Sequence, residues 1–134
     1  MKYILDTNIC IYLMKRQPPE VRRRFEALRV GDVFISAITL AELEHGADAD
    51  PTLASSRRRQ LDAFLRLVPA LPFDAAAARQ YGRIRNARKA LGRNRFDTLI
   101  AAQAMASGRV LVTNNEVDFS DIEGLSMENW VAGA

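Results

Sequence analysis

The feature that most constrains the fold is a series of short apolar runs separated by segments of helical character. The runs YIL from Tyr3, VFI from Val33 and RVLVT from Arg109 have the length and composition of buried strands. No turn signal such as Asn-Gly joins one run to the next, so adjacent strands are not expected to form hairpins. The sequence therefore predicts an α/β protein with a central parallel sheet and helices on both of its faces.

Helices are predicted where apolar residues recur at i, i+3, i+4 and i+7, because this spacing forms one buried helical face. The segment DTLIAAQAMASG, which ends at Gly108, is apolar nearly all round and is expected in the middle of the domain. Other helices are predicted from Pro18-Pro19, after the second strand as far as about Gly46, from Ser55, and after Asp74 as N-cap. No repeat or long linker divides residues 1–134, so we expect one domain.

The amino-acid composition limits the possible cellular locations of the protein and the classes of partner it could bind. The single cysteine, Cys10, excludes a disulfide framework, and a cytoplasmic location is expected. Asp6 interrupts the only candidate signal sequence, and no run approaches the ~20 apolar residues of a membrane helix. Sixteen arginines and three lysines face sixteen acids, for a net charge of +3. Arginine suits forked contacts to phosphate, so nucleic acid is a permitted partner, although a biased genome would also raise the arginine content.

Four acidic residues fall at strand ends or helix starts. Asp6 ends the first strand, Glu42 lies in the helix after the second, Asp97 opens the apolar helix, and Asp118 follows the third strand. Ligands bind beyond the carboxyl ends of parallel strands, so these acids are expected to meet there. Carboxylates ~4 Å apart repel by up to ~4 kcal/mol per pair, which a divalent cation such as Mg²⁺ or Mn²⁺ usually offsets. The pattern predicts a metal site for hydrolysis.

Each of these acids also has a purely structural interpretation. Asp6 and Asp118 could accept hydrogen bonds within turns, Asp97 could be a helix N-cap, and Thr39 with Glu42 fits a capping box. If all four acids served only these roles, the chain would be a non-catalytic interaction module.

Other catalytic classes fit the residues less well. A phosphatase or receiver-type domain would also place an Asp after the first strand, but Asn8 stands where a haloacid-dehalogenase-like phosphatase needs a second Asp. The last lysine, Lys89, comes too early for the late functional lysine of a receiver domain. The single histidine, His45, excludes paired-imidazole ribonuclease chemistry, and the sequence contains neither a P-loop nor a nucleophile elbow.

Four blocks of the sequence together resemble the PIN-domain toxins of the VapC type. They are ILDTNICIYL, ISAITLAELEHGA, RFDTLIAAQAMASG and LVTNNEVDFSDIEGLSMENW, and they extend from the first strand to Trp130. The resemblance implies a three-layer α/β/α PIN-like domain with a parallel sheet of four to five strands. It also implies an endoribonuclease, the toxin of a type II toxin-antitoxin system, that inhibits translation by cutting structured RNA. Transfer RNA anticodon stem-loops, and initiator tRNA first, are the implied substrates.

The resemblance also assigns partners and residue roles. It implies a VapB-like antitoxin, a homodimer within a higher toxin-antitoxin assembly, and operator DNA bound only through the antitoxin. Asp6 and Asp97 correspond to the Mg²⁺ ligands of the family, and Glu42 and Asp118 complete the acidic set. Supporting roles fall to Thr7, Asn8, Thr113 and Asn115. The expected reaction uses water as nucleophile and leaves 5′-phosphate and 3′-hydroxyl ends.

Basic residues near the acids are candidates for guiding RNA phosphates to the site. They are Arg93, Arg95, Arg22, Arg23 and Arg24. A solvated helix face and a docking surface for the antitoxin are alternative uses of the Arg22 to Arg24 run. Two departures from the family pattern stand nearby, since Asn94-Arg95-Phe96 replaces a common Gly-Pro pair and Gln103 replaces a common histidine.

Overall fold

A computed structural model describes residues 2–87 and 95–131, and every structural statement below concerns these ranges. The described residues form five strands, six α-helices and one 3₁₀ helix. The strands are β1 (Tyr3–Leu5), β2 (Val33–Ser36), β3 (Ala70–Leu71), β4 (Val110–Val112) and β5 (Met127–Glu128). The α-helices are α1 (Thr7–Lys15), α2 (Pro19–Glu26), α3 (Ala37–Asp48), α4 (Ala54–Leu67), α5 (Ala75–Ala87) and α6 (Arg95–Ala106). The 3₁₀ helix is Glu116–Phe119.

All strand pairings in the sheet are parallel, and the strand order is β3-β2-β1-β4-β5. The chain builds outward from β1 through β2 to β3, and then crosses back to place β4 on the other side of β1. The order therefore reverses between β1 and β4, which makes their carboxyl ends a topological switch point. Open α/β sheets bind ligands at such a point.

Helices cover the sheet on both faces and form two apolar cores. One core lies between the sheet and helices α1, α2, α3 and α4, and it contains Leu5, Ile9 and Leu61. The other joins α5, α6 and the 3₁₀ helix and contains Ile4 and Ile100. The neighbouring residues Ile4 and Leu5 thus point to opposite faces, as alternate side chains of a strand do. This arrangement confirms the predicted three-layer α/β/α fold with a parallel sheet.

Several predicted helix boundaries are confirmed by the hydrogen bonds at the helix ends. Asp74 caps α5, since its Oδ1 accepts a hydrogen bond from the Ala77 amide at 2.9 Å. Gly108 follows α6 with a φ of +66°, which allows the Arg109 amide to donate to the Ala104 carbonyl at 3.0 Å. Helix α6 is buried on most sides, as its apolar sequence predicts.

Two structural interpretations of the acids are wrong. The N-cap of α3 is Ser36, whose Oγ accepts from the Ile38 amide at 2.9 Å, so Thr39 and Glu42 do not form a capping box. Asp97 is the third residue of α6 and not its N-cap, because the helix already begins at Arg95. Helix α3 also continues to Asp48, two residues beyond the predicted end at Gly46, since a glycine inside a helix costs only ~1 kcal/mol.

The sequence analysis did not identify α1, β3, β5 or the 3₁₀ helix. Helix α1 starts directly after β1, and the sequence analysis interpreted its N-cap, Asp6, as a turn residue or metal ligand and not as the start of a helix. Strands β3 and β5 have two residues each, which is too short for any periodic pattern to appear. None of the helices in the described ranges has the length and apolar character needed to cross a membrane.

Candidate active site

Asp6 lies at the switch point, where β1 ends and α1 begins. Its amide donates to the Val112 carbonyl of β4 at 2.9 Å. Its carboxylate caps α1, because Oδ1 accepts from the Thr7 amide at 2.7 Å, while Oδ2 accepts from Thr113 Oγ1 at 2.8 Å. Only 6% of Asp6 is exposed. The carboxylate is therefore held from both strands that flank the switch point.

Glu42 is connected to Asp6 through Thr7. The hydroxyl of Thr7 donates to Glu42 Oε1 at 2.8 Å and lies 3.5 Å from Thr39 Oγ1. The amide of the same Thr7 is bonded to Asp6. Thr7 thus links the acid after β1 to the acid in the second turn of α3, although 36 residues separate them in the sequence.

Asp118 is connected to Asp6 through the loop after β4. Thr113 Oγ1, which donates to Asp6, accepts from the Asn115 amide at 3.0 Å. The Asn115 side-chain amide donates in turn to Asp118 Oδ2, and the Asp118 amide donates to the Asn115 carbonyl at 3.1 Å. Thr113 and Asn115 therefore form a continuous hydrogen-bonded path between two of the four acids.

The electrostatics of the switch point favour binding of a positive charge. Burial raises the pKa of Asp6 above 3.8, and the negative charge of Asp118 raises it further, while the hydrogen bonds from Thr113 and Thr7 lower it. The pKa of the buried Cys10 thiol is raised well above its usual value by burial and by the charges of Asp6 and Glu42. The thiol therefore stays neutral, and three acids share one region of negative potential.

Asp97 lies at the same edge of the sheet. Helix α6 enters the amino end of β4 through residues 107–109, so its first turn is at the opposite, carboxyl edge. Asp97 is half-buried in this first turn, and α6 packs against α3, which carries Glu42.

The donor groups fit a hard divalent cation in their chemistry, because such ions prefer carboxylate oxygens as ligands. No group of three or more His, Cys, Asp or Glu residues within 2–87 and 95–131 is placed to hold a metal ion. Mg²⁺ does not need such a cage, because it usually binds one or two carboxylates and keeps waters or substrate phosphates as its other ligands. Asp6 suits this role, since each of its oxygens accepts one hydrogen bond and keeps a second lone pair.

Four of the five arginines predicted to bind RNA lie in the described ranges. Two of them form ion pairs with acids outside the candidate site, and the other two are exposed. Arg24 Nη2 bonds Glu128 Oε1 at 2.7 Å, and its guanidinium lies 5.5 Å from the centre of the Trp130 ring. Arg22 forms an ion pair with Glu26 at 3.3 Å. Arg23 is exposed on α2, and Arg95 is exposed at the start of α6. Arg93 lies outside the described residues. Among the supporting residues, Asn8 is exposed in the first turn of α1.

The sequence analysis missed two polar contacts that connect neighbouring elements. Asn114 Nδ2 donates to the Tyr12 hydroxyl at 2.9 Å, which ties the loop after β4 to α1. The position of Asn114 between Thr113 and Asn115 was the only available signal. Gln103 Nε2 donates to the carbonyls of Leu71 and Pro72 at 3.2 and 3.0 Å, so this residue joins α6 to the end of β3.

Comparison with known proteins shows the family to which this fold belongs. The PIN domain family matches residues 3–125 of the chain. The tRNA(fMet)-specific endonuclease VapC of Shigella flexneri is 39% identical over 132 residues, which cover 97% of this chain and 98% of that protein. The solved structure of VapBC2 from Rickettsia felis bound to a promoter DNA fragment has a TM-score of 0.87 at 35% identity, covering 97% and 99% of the two chains. The DNA-bound VapBC from Salmonella typhimurium has a TM-score of 0.88 at 36% identity, covering 97% and 98%.

The fold and the site define a PIN-domain nuclease, and the chain belongs to the VapC family of ribonucleases. Nucleases with this domain generally use divalent metal ions. The predicted enzyme class is therefore confirmed.

Proposed function

We propose that this protein is a Mg²⁺-dependent endoribonuclease and the toxin of a type II toxin-antitoxin pair. The observation that carries the proposal is the environment of Asp6. This carboxylate is buried at the switch point, its pKa is raised, and its hydrogen-bond donors are neutral. A carboxylate that binds a proton more tightly than usual, and has oxygens still free to coordinate, also favours a metal cation in the place of the proton.

In the proposed site, the carboxylates of Asp6, Glu42, Asp97 and Asp118 would together hold one or two Mg²⁺ ions, with Mn²⁺ as an accepted substitute. The ion, when bound, supplies positive charge to the attacked phosphate and lowers the pKa of a water molecule. Thr7 orients Asp6 and Glu42 together, because it donates to both carboxylates.

The loop after β4 has a second positioning role in this proposal. Thr113 and Asn115 orient Asp6 and Asp118 through their chain of hydrogen bonds. Because water and not the RNA 2′-hydroxyl attacks, the products carry 5′-phosphate and 3′-hydroxyl ends.

The proposed substrate is structured RNA, and initiator tRNA is the first to test. Relatives named as tRNA(fMet)-specific endonucleases support this choice, at 39% and 38% identity. Cleavage of initiator tRNA would stop translation at its first step. The VapBC complexes among the solved structures support a VapB-like antitoxin as partner, and the two bound to DNA support contact with operator DNA through that antitoxin. We also propose that the chain forms a homodimer within the assembled complex.

The experiment that tests the proposal is cleavage of purified initiator tRNA with Mg²⁺ present, with Mg²⁺ removed by chelator, and with Asp97→Asn protein. We expect cleavage only in the first reaction, and chemical mapping should find 5′-phosphate ends. Cleavage that continues in chelator, or products with 2′,3′-cyclic phosphate ends, would contradict the mechanism. If initiator tRNA remains intact while other RNAs are cut, only the substrate assignment is wrong.

A further inference from the structure

Two exposed apolar residues directly precede two of the proposed catalytic acids in the sequence. Five large hydrophobic residues of the described ranges are exposed: Val30, Leu53, Leu67, Phe96 and Val117. Phe96 precedes Asp97 and is 48% exposed, and Val117 precedes Asp118 and is 73% exposed. Helix α6, which carries Phe96, packs against the 3₁₀ helix that carries Val117. Neither residue belongs to the two apolar cores described above, and both are exposed on elements that reach the carboxyl edge of the sheet.

The direction of the Phe96 side chain follows from its place in α6. Phe96 shares a helix face with Ile100 and Gln103, at i+4 and i+7, and these two residues are 0% and 4% exposed. The face of Phe96 is thus the buried face, yet its own side chain remains half uncovered. Side chains of a helix lean toward its N-terminus, so the ring extends past the end of the packed layer. It therefore reaches the carboxyl edge of the sheet, where the acids lie.

We propose that Phe96 stacks on an unpaired nucleobase of the RNA beside the cleaved phosphate, and that Val117 extends this apolar rim. This inference rests on the proposed ribonuclease function and adds how the substrate is held. Specific RNA recognition usually involves bases splayed out of loops onto aromatic side chains, and such stacking tolerates any base. The adjacent Arg95 is exposed at the first turn of α6, where its charge and the helix dipole attract a phosphate of the same strand.

A nucleobase fits this rim better than a purely electrostatic contact does. The acids beside Phe96 and Val117 repel RNA phosphates, so cations alone would have to overcome that repulsion. Stacking is independent of charge and needs only an exposed ring, which Phe96 provides. Phe96 and Val117 would therefore contribute RNA binding at the carboxyl edge of the sheet, where the acids repel the RNA phosphates.

The test compares Phe96→Leu and Phe96→Trp with the wild type on an RNA stem-loop that the wild type cleaves. We expect Phe96→Leu to lower kcat/KM roughly 10- to 100-fold, mainly through KM, because a stacked base is lost. Phe96→Trp should retain activity, since the indole also stacks. Leu67→Ala is the matched control, because Leu67 is also 48% exposed but lies at the end of α4, on the amino side of the sheet.

An abasic nucleotide in the substrate makes the test specific to stacking. With a base removed beside the cleavage site, the wild type should lose as much activity as Phe96→Leu loses, and the variant should lose little more. Equal kcat/KM for Phe96→Leu and wild type on the intact RNA would overturn the inference and leave the nuclease proposal standing. Reduced binding of an antitoxin by Phe96→Leu, with unchanged RNA cleavage, would assign the rim to a protein partner.

A binding measurement decides the question even if no RNA is cleaved. The native Trp130 is only 1% exposed, so it gives a constant fluorescence background. Tryptophan emission of Phe96→Trp should be quenched by a stem-loop RNA in the absence of metal, and quenched much less by the abasic RNA. Quenching that is equal for both RNAs, or absent, would exclude base stacking at this residue.

Discussion

Two carboxylates at the same edge of the sheet, Glu128 and Asp6, are stabilised in opposite ways. Glu128 ends β5, and one of its oxygens accepts from both Arg24 at 2.7 Å and the Trp130 indole at 3.1 Å. Asp6 follows β1, accepts only from a neutral amide and a neutral hydroxyl, and forms no ion pair within the described ranges. The first acid has its charge balanced by the protein, and the second keeps the ability to bind a cation.

The comparison shows that a position at the end of a strand does not by itself distinguish a structural acid from a functional one. Both residues stand at strand ends, and both are bound by well-formed hydrogen bonds. They differ in their neighbours, because Glu128 has a cation and Asp6 has the negative charge of Asp118. An acid with a protein cation stabilises the fold, whereas an acid beside another acid costs stability until a ligand neutralises it.

The loss of stability caused by the ionised Asp6 carboxylate depends on pH in a definite way. The folded-state pKa of Asp6 lies above 3.8, so the folded protein binds this proton more tightly than the unfolded chain does. Its contribution to stability is fully present below the unfolded pKa and is lost as pH rises through the folded pKa. At neutral pH, Asp6 therefore destabilises the metal-free protein.

The largest expected effect is the loss of activity in Asp6→Asn. Replacing even a residue that only hydrogen-bonds to a metal ligand costs ~10- to 100-fold, so removing this carboxylate should lower kcat/KM by more than about 100-fold. The melting temperature of the metal-free protein at neutral pH should equal or exceed that of the wild type, because a buried charge is removed. Cleavage kinetics and thermal melts on the same samples check both statements, and a large drop in melting temperature would show that Asp6 is mainly structural.

Thr113→Ala should have the next largest effect on activity. The hydroxyl of Thr113 donates to Asp6 and accepts from the Asn115 amide, so both Asp6 and Asp118 lose their orientation. We expect kcat to fall about 10- to 100-fold. Thr113→Ser keeps the hydroxyl and should restore most of the activity. If the serine variant is as slow as the alanine variant, the side-chain methyl and not the hydrogen bonds is what matters.

The pH profile of cleavage separates Asp6 from an ordinary carboxylate. Activity requires the ionised form, so the acidic limb of the profile should lie above pH 3.8, with about a tenfold loss for each pH unit below the raised pKa. The measurement is kcat/KM against pH at subsaturating Mg²⁺, because the raised pKa belongs to the metal-free carboxylate. An acidic limb at or below the usual aspartate pKa would mean that the bound ion fully offsets the burial of the carboxylate.

Glu128→Gln should affect stability instead of activity. The change removes the ion pair with Arg24 and weakens the acceptor for the Trp130 indole, which is almost fully buried. We expect the free energy of unfolding to fall by about 1 kcal/mol in urea denaturation, because the Arg24 side chain is 42% exposed and glutamine still accepts from the indole. Activity of the folded protein should change less than about threefold, because Glu128 is not one of the proposed metal ligands. A loss of activity comparable to that of Asp6→Asn would remove the distinction between the two acids.

The smallest effect is expected for Arg58→Gln. Arg58 forms ion pairs with Glu44 and with Asp48, the second at 3.2 Å, but all three side chains are at least one-third exposed. Solvent screens such pairs, so the unfolding free energy should change by less than about 1 kcal/mol and activity should not change. A larger loss in the urea experiment would indicate that the three charges act as a network.

Much of the fold could be predicted because its elements have regular spacing. Strands β1, β2 and β4 are apolar runs of three or four residues, and the apolar sequence of α6 predicts its burial. The elements that were not predicted lack such regular spacing. Strands β3 and β5 have two residues each, and their pairing depends on neighbouring strands that the local sequence does not specify. The interpretation of Asp97 as N-cap was wrong because helix starts shift by a residue or two with packing.

The sequence by itself determined the parallel α/β architecture, the apolar core helix and the four acids as candidates, since each depends on local composition and spacing. Only the tertiary structure decided which polar groups meet. Thr7 joins Asp6 to Glu42, Thr113 joins Asp6 across β4, and Arg24 neutralises Glu128. Charge and solvent exposure at one residue depend on atoms distant in the chain, so local sequence cannot specify whether an acid is balanced by a protein cation or left to bind a ligand.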